Sequence, residues 1–220
     1  MARGRRVTQG ALAGGITPMI LIRHGETTWN RAGRLQGQTD SPLSDLGRSQ
    51  AEATANLLGG ETAATILSSD LGRTRDTAAA IAQATGAQVL FDARLRERSY
   101  GELEGHTWAE VEHKFPEAWR RMNAREPDFA PSQGESPRAF SDRVVRALTD
   151  IAVTHEGRRI IIVTHGGVVG MLYRHVMRIE LDERREYALL NASINRFRYV
   201  ESRWALDVWG DVSHLEGLGA

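Results

Sequence analysis

Three short apolar runs rich in β-branched residues constrain this chain most: Ile20–Ile22, Thr65–Leu67 and Ile160–Val163. Each breaks off within a few residues into polar or glycine residues and gives way to a helical pattern. That βα alternation marks a parallel sheet, whose strands are covered on both faces. The first helix is expected behind Ser44, an N-cap candidate ahead of "DLGRSQAEATANLL", and stops at Gly59-Gly60. A second follows Ser69, through "RTRDTAAAIAQATG" to Gly86. Between Ser136 and His155, the residues Phe140, Val144, Ala147, Leu148 and Ile151 form a helical stripe. The expected fold is one α/β domain over residues 19–220, with a mainly parallel central sheet flanked by helices.

With 220 residues, 41% of them hydrophobic, the chain can bury one substantial core. Lys plus Arg and Asp plus Glu are both 28, so no overall basic field draws it to nucleic acid or to an anionic membrane. Any anion site must be local. The lack of cysteine excludes disulfides, thiolate zinc sites and a cysteine nucleophile, and fits a reducing cytoplasm. The start, "MARGRRVTQGALAGGITP", reads as a flexible tail over residues 1–18, its apolar patch Ala11–Ala13 being too short for a signal-peptide core. No apolar run approaches the roughly 20 residues that span a bilayer, so a soluble protein is expected. Gly105 to Gly134 is rich in Trp, Pro and charge, and reads as an insertion over the active site: a helical piece, Trp108–Asn123, then the loop "REPDFAPSQGES". Ser193–Tyr199 and Trp204–Trp209 alternate as strands do, and their aromatic edge suggests a homodimer contact.

In open α/β sheets ligands bind beyond the carboxyl ends of the strands, and three such ends carry unusual groups. They are Arg23-His24-Gly25, "SSDLGRTRDTA" with Arg73, and "VTHGG" with His165. Brought together, two imidazoles and two guanidiniums repel one another unless an anion joins them, and a phosphoryl group matches the guanidinium fork. A histidine with one unprotonated ring nitrogen can accept that group covalently, which splits one hard transfer into two easier ones. His24 is the candidate, with Gly25 letting backbone hold its other nitrogen. HExxH, an EF-hand loop and a Walker A motif are all absent, so no metal is expected and arginine must stabilise the charge. The leaving alkoxide needs a proton; "RLRERSYGELEG" offers Glu97, Glu102 and Glu104, and spacing does not choose among them.

Taken together and in order, "LIRHGETTWN", "RLQGQTDSPLSDLG", "SSDLGRTRDTA", "LRERSYGELEG", "GES" and "VTHGG" resemble the histidine phosphatase superfamily, which includes the phosphoglycerate mutases. The resemblance spans Ile20 to about Leu215. It implies a phosphoglycerate mutase-like fold, His24 as the phosphorylated nucleophile, and a phosphate pocket of Arg23, Arg73 and His165 with the backbone at Gly166. It further implies Asn30, Thr27, Gln36 and Gly37 around the phosphoryl oxygens, Glu97 as acid and then base, and a structural role for Glu104. Arg120-Arg121 resembles the arginine pair that holds substrate in mutases, whereas the lysine those enzymes place after the Glu motif is missing from Gly105-His106-Thr107-Trp108.

The expectation is a metal-independent phosphatase acting on monoesters of small phosphorylated metabolites. The rival is a mutase, which would need 2,3-bisphosphoglycerate and a lid that excludes water; the candidate lid here is short and loop-rich, favouring hydrolysis. A catalytically weak phospho-ligand scaffold is the third reading, disfavoured because none of Arg23, His24, Arg73, Glu97 and His165 is missing. Taken singly, a histidine before a glycine is usually a capping residue, and Arg94, Arg96 and Arg98 offer Glu97 ordinary ion pairs. Trp108, Trp119, Trp204 and Trp209 read as packing residues.

Overall fold

The computed structural model describes residues 15–61 and 65–218; the expected tail at residues 1–14 lies outside them. In chain order come β1 (Thr17–Arg23), α1 (Thr28–Arg31), α2 (Asp45–Leu58), β2 (Thr65–Ser68), α3 (Gly72–Thr85), β3 (Gln88–Phe91), α4 (Trp108–Lys114), α5 (Pro116–Asn123), α6 (Pro137–Thr154), β4 (Ile160–Thr164), α7 (Gly166–Met177), β5 (Ile194–Val200) and β6 (Arg203–Asp211). The sheet order is β3-β2-β4-β1-β5-β6. Its first four strands are parallel and the last two antiparallel, so the expected mainly parallel α/β sheet is what forms.

Alternation along β1 explains the layering. Successive side chains of a strand point to opposite faces, so Ile20 and Ile22 pack with Leu58, Ile66, Ala78 and Ile81 under α2 and α3. Met19 and Leu21 pack on the other face with Phe140, Val144, Leu148, Val169 and Leu172 from α6 and α7. The capping expectation for α2 holds, since Ser44 Oγ accepts from Gly47 N at 3.0 Å. Trp204 and Trp209 lean on the core as partly buried side chains.

Three expectations need correction. Strand β1 starts at Thr17 rather than Met19, because Thr17 and Pro18 pair with Tyr199 and Arg198 of β5 and Thr17 Oγ1 donates to Ala152 O at 2.8 Å. The helical piece Trp108–Asn123 is two helices. Pro116 has no N–H and disfavours helical geometry in its predecessor, and Phe115 adopts φ −130°, ψ 57°. Strand β3 was not anticipated: it is a four-residue edge strand with Leu90 and Phe91 43% and 47% exposed, so it carries little of the apolar signal of an inner strand. The insertion packs on its own small cluster, where Leu35, Leu103 and Val111 meet Phe115, Trp119 and Met122.

Candidate active site

Strand register builds the site. Arg23 is the register partner of Thr164 at the carboxyl ends of β1 and β4, so the next residues, His24 and His165, emerge side by side. Their ring centroids are 5.3 Å apart and nearly edge to face. His24 N donates to Thr164 O at 2.9 Å, and Ser69, just past β2, donates its N–H to Val163 O at 3.0 Å. Arg73 arrives from the first turn of α3, and Gly25 N reaches the same helix at Thr77 Oγ1, 3.2 Å away.

The tautomer of His24 is set by its neighbour. The Nδ1 of His24 lies 2.8 Å from Gly25 O; a carbonyl can only accept, so Nδ1 carries the hydrogen and Nε2 keeps its lone pair. Ser69 Oγ accepts from Leu71 N at 3.4 Å and lies 2.9 Å from His165 Nε2. The Ser69 hydroxyl has a second lone pair, so this contact fits either His165 tautomer. Both rings are held well below the ordinary histidine pKa, first by burial and then by the charge of Arg73, with Arg23 adding to it. Burial also pulls Arg23 down to about 10, which leaves it cationic at neutral pH.

Three buried nitrogens without a hydrogen-bond partner point the chemistry toward an anion: Arg23 Nε and Arg73 Nε, both donors, and His165 Nδ1. A buried donor left unsatisfied is worth about 1–3 kcal/mol of lost stability, and two guanidinium donors in one cationic crevice fit an acceptor with oxygens on several sides. Other donors of the two arginines are anchored to the fold. Arg23 Nη1 donates to Leu189 O. The Arg73 Nη atoms donate to Gly37 O at 2.7 Å, Thr39 O at 3.0 Å and Asp40 Oδ1 at 3.1 Å.

The other expected residues fall into two groups. Asn30 Oδ1 accepts from Thr27 N, Thr27 Oγ1 and Asn191 Nδ2, each at 3.2 Å, which fixes its amide and leaves Nδ2 as the donor end. Gly37 supplies the carbonyl that holds Arg73, and Gln36 is buried with Oε1 unpartnered. Glu104 accepts from Gln38 N, Thr39 N, Thr39 Oγ1 and Tyr100 N, tying the 36–40 turn in place. Glu97 accepts from Gly167 N at the start of α7 and from Arg98 N, both at 2.9 Å, beside Gly166, on which a Cβ would stand 3.3 Å from Arg23 Nε. By contrast, Arg120 and Arg121 are not brought to this cluster. Arg120 pairs with Glu117 on an exposed face, and Arg121 pairs with Glu126 at 2.6 Å while lying over Phe129. Glu117 lies one turn away on α5 and Glu126 just past its end, so local pairing takes both.

Sequence reasoning missed Ser69 and Asn191. Asn191 Nδ2 also donates to His24 O at 3.0 Å, so one amide orients both the His24 backbone and Asn30. The only local signal was an asparagine immediately before a strand that pairs with β1.

The comparisons decide the family. The model of the histidine phosphatase superfamily, branch 1, matches residues 19–212. This chain belongs to the histidine phosphatase superfamily. Similar members include a metal-independent phosphoserine phosphatase of Arabidopsis thaliana, 42% identical over 207 residues, 93% of this chain and 85% of that protein. Phosphoglycerate mutase-like protein 4 of the same plant is 40% identical over 205 residues, 91% of this chain and 88% of its own. Among solved structures, Bacillus stearothermophilus YhfR aligns with TM-score 0.85 at 33% identity, covering 91% of this chain and all of that one. A mycobacterial glucosyl-3-phosphoglycerate phosphatase in complex with VO3 aligns at 0.77 and 34%, covering 88% and 98%. The histidine phosphatase superfamily thus supplies both the fold and the reaction class, phosphoric monoester hydrolysis.

Proposed function

We propose that this phosphoric monoester hydrolase acts on small phosphorylated metabolites through a phosphohistidine on His24. The observation that carries the reading is the pair of buried, unpartnered guanidinium donors, Arg23 Nε and Arg73 Nε, around a neutral imidazole. Arg23, Arg73, His165 and Asn30 hold the phosphoryl oxygens; the lone pair of His24 Nε2 attacks phosphorus, a P–N bond forms and the ester P–O bond breaks. Glu97, 2.9 Å from Gly167 N at the pocket's edge, gives its proton to the leaving oxygen. As carboxylate it then takes a proton from the water that attacks phosphohistidine, releasing inorganic phosphate.

No metal enters these steps, because the guanidiniums and the N-terminus of α7 supply the positive charge. The resemblance of the name "metal-independent" on the Arabidopsis relative supports the same reading. The mutase-like relative makes transfer to a second hydroxyl the competing outcome. The test is one assay: purified protein with an ester panel, phosphoserine, 3-phosphoglycerate with and without 2,3-bisphosphoglycerate, and an aryl phosphate, in EDTA, following free phosphate and 2-phosphoglycerate. Free phosphate, together with a rapidly formed protein-bound phosphate that is labile to acid and stable to alkali, is expected. Rapid 2-phosphoglycerate with little free phosphate makes the protein a mutase, and loss of activity in EDTA contradicts metal independence.

A further inference from the structure

Outside the phosphate pocket, a cavity of about 650 Å³ lies between the insertion and the segment that follows α7. It joins a smaller one of about 250 Å³ that Glu97 and Gly167 also line, and the two share Arg98, Tyr100, Met122, Arg125, Arg174 and Arg185. The larger volume is in the range that encloses drug-sized ligands, roughly 300–1,000 Å³, well beyond a three-carbon phosphoester.

Its chemistry is two-sided. Trp108, Trp119, Phe129 and Tyr100 give it apolar, planar surface. Against them stand five arginines and one acid, Glu126, which Arg121 already neutralises. Of the five, Arg98 is tied to Glu135 O and Phe129 O. Arg174, only 8% exposed, donates to Glu180 O and Glu183 O, bracketing the loop that presents Arg184 and Arg185 directly after Glu183. Arg125, Arg184 and Arg185 take part in none of the ion pairs among the described residues. The charge of Arg185 is felt at Arg23 and at Tyr100, so the free cations continue the field of the phosphate pocket outward.

Resting on the phosphatase reading above, we infer that the substrate is a phosphomonoester whose alcohol carries a bulky, partly apolar body and a second anionic group, the body lying on Trp108 and Trp119 and the anion held by Arg125 and Arg185. Guanidiniums without a protein acid are matched by a carboxylate or phosphate on the ligand, and aromatic faces are matched by a ring or another apolar surface.

Three aryl esters of similar leaving group test this: phenyl phosphate, 2-naphthyl phosphate and 6-carboxy-2-naphthyl phosphate. The expected order of kcat/KM rises along the series, with the carboxylated ester at least about tenfold above 2-naphthyl phosphate, the size of one charge-assisted contact. In R125A/R185A that ratio should fall to near one; both side chains lie outside the core, so folding is preserved, and circular dichroism checks it. Equal kcat/KM for the two naphthyl esters in wild type, or a ratio unchanged in the double variant, overturns the inference and leaves the phosphatase reading standing. If no ester is turned over, the phosphatase reading falls instead. Calorimetric titration with the non-hydrolysable 6-carboxy-2-naphthylmethylphosphonate then decides the subsite alone: tenfold weaker binding by the double variant supports it, and equal binding removes it.

Discussion

His24 works because one hydrogen bond sorts its two nitrogens. With Nδ1–H committed to Gly25 O at 2.8 Å, Nε2 faces the pocket as a base, and burial beside Arg73 and Arg23 keeps the ring neutral at pH 7. H24A should reduce turnover by at least about 10³-fold, in line with loss of a covalent nucleophile, while the thermal transition changes little; substantial residual turnover counts against the covalent route. The same burial has a stability consequence. The unfolded state binds protons on these imidazoles near pH 6.5 and the folded state only well below it, so stability is full above about pH 6.5 and declines as the pH falls beneath it. The melting temperature of the free protein should therefore drop on acidification, H24N should blunt part of that drop, and orthovanadate should oppose it by pairing with the charged rings. A melting temperature flat from pH 7.5 to 5.5 contradicts this account. On the proposed route Glu97 contributes through its proton: E97Q should slow an alkyl phosphate by about 10²–10⁴-fold and an activated aryl phosphate far less. Equal losses on both move the acid elsewhere.

At the scale of elements, two backbone approaches hold the site. A Cβ on Gly47 in the first turn of α2 would stand 1.9 Å from Glu26 O, and one on Gly25 would stand 2.3 Å from Gly47 O. The strand-end loop and α2 therefore touch backbone to backbone, with Ser44 Oγ donating to Glu26 Oε1 at 2.6 Å. G47A should lose about 1–3 kcal/mol of stability, the usual scale of overpacking, read in urea unfolding; a neutral effect would show that α2 can shift. At the start of α7 the obstacle is softer. A Cβ on Gly167 would meet Glu97 Oε1 at 2.0 Å, and a carboxyl can swing aside, so G167A should keep its fold yet lose kcat with the leaving-group dependence of E97Q. The segment before β5 acts as a further clamp, since Asn191 ties His24 O to Asn30 Oδ1. N191A should lower kcat/KM by about tenfold, with about 1 kcal/mol less stability from the lost hydrogen bonds.

At the scale of the molecule, charge balance hides local asymmetry. The chain has 28 basic and 28 acidic residues, yet the carboxyl edge of the sheet gathers Arg23 and Arg73 while the insertion and the loop after α7 add Arg125, Arg184 and Arg185. No helix among the described residues is long and apolar enough to cross a membrane. With a wide cavity adjoining the phosphate pocket, water would have room beside the proposed phosphohistidine, which favours hydrolysis over transfer.

Chain order alone made several features legible. The β-branched runs and helical stripes named the parallel sheet, and the strand ends marked Arg23, His24, Arg73 and His165, because local periodicity and strand-end chemistry are short-range properties. Resemblance rather than spacing chose Glu97 from its neighbours. Tertiary structure alone decided which atoms of those residues are free. The tautomer of His24 depends on a carbonyl, the position of the His165 ring on Ser69 just past β2, and the orientation of Asn30 on Asn191, which is 161 residues away in the chain. It also decided that Arg120 and Arg121 pair locally with acids whereas Arg125 and Arg185 do not. Resemblance marked only Arg120 and Arg121 for the substrate, and only packing determines which cations meet a carboxylate before a ligand does.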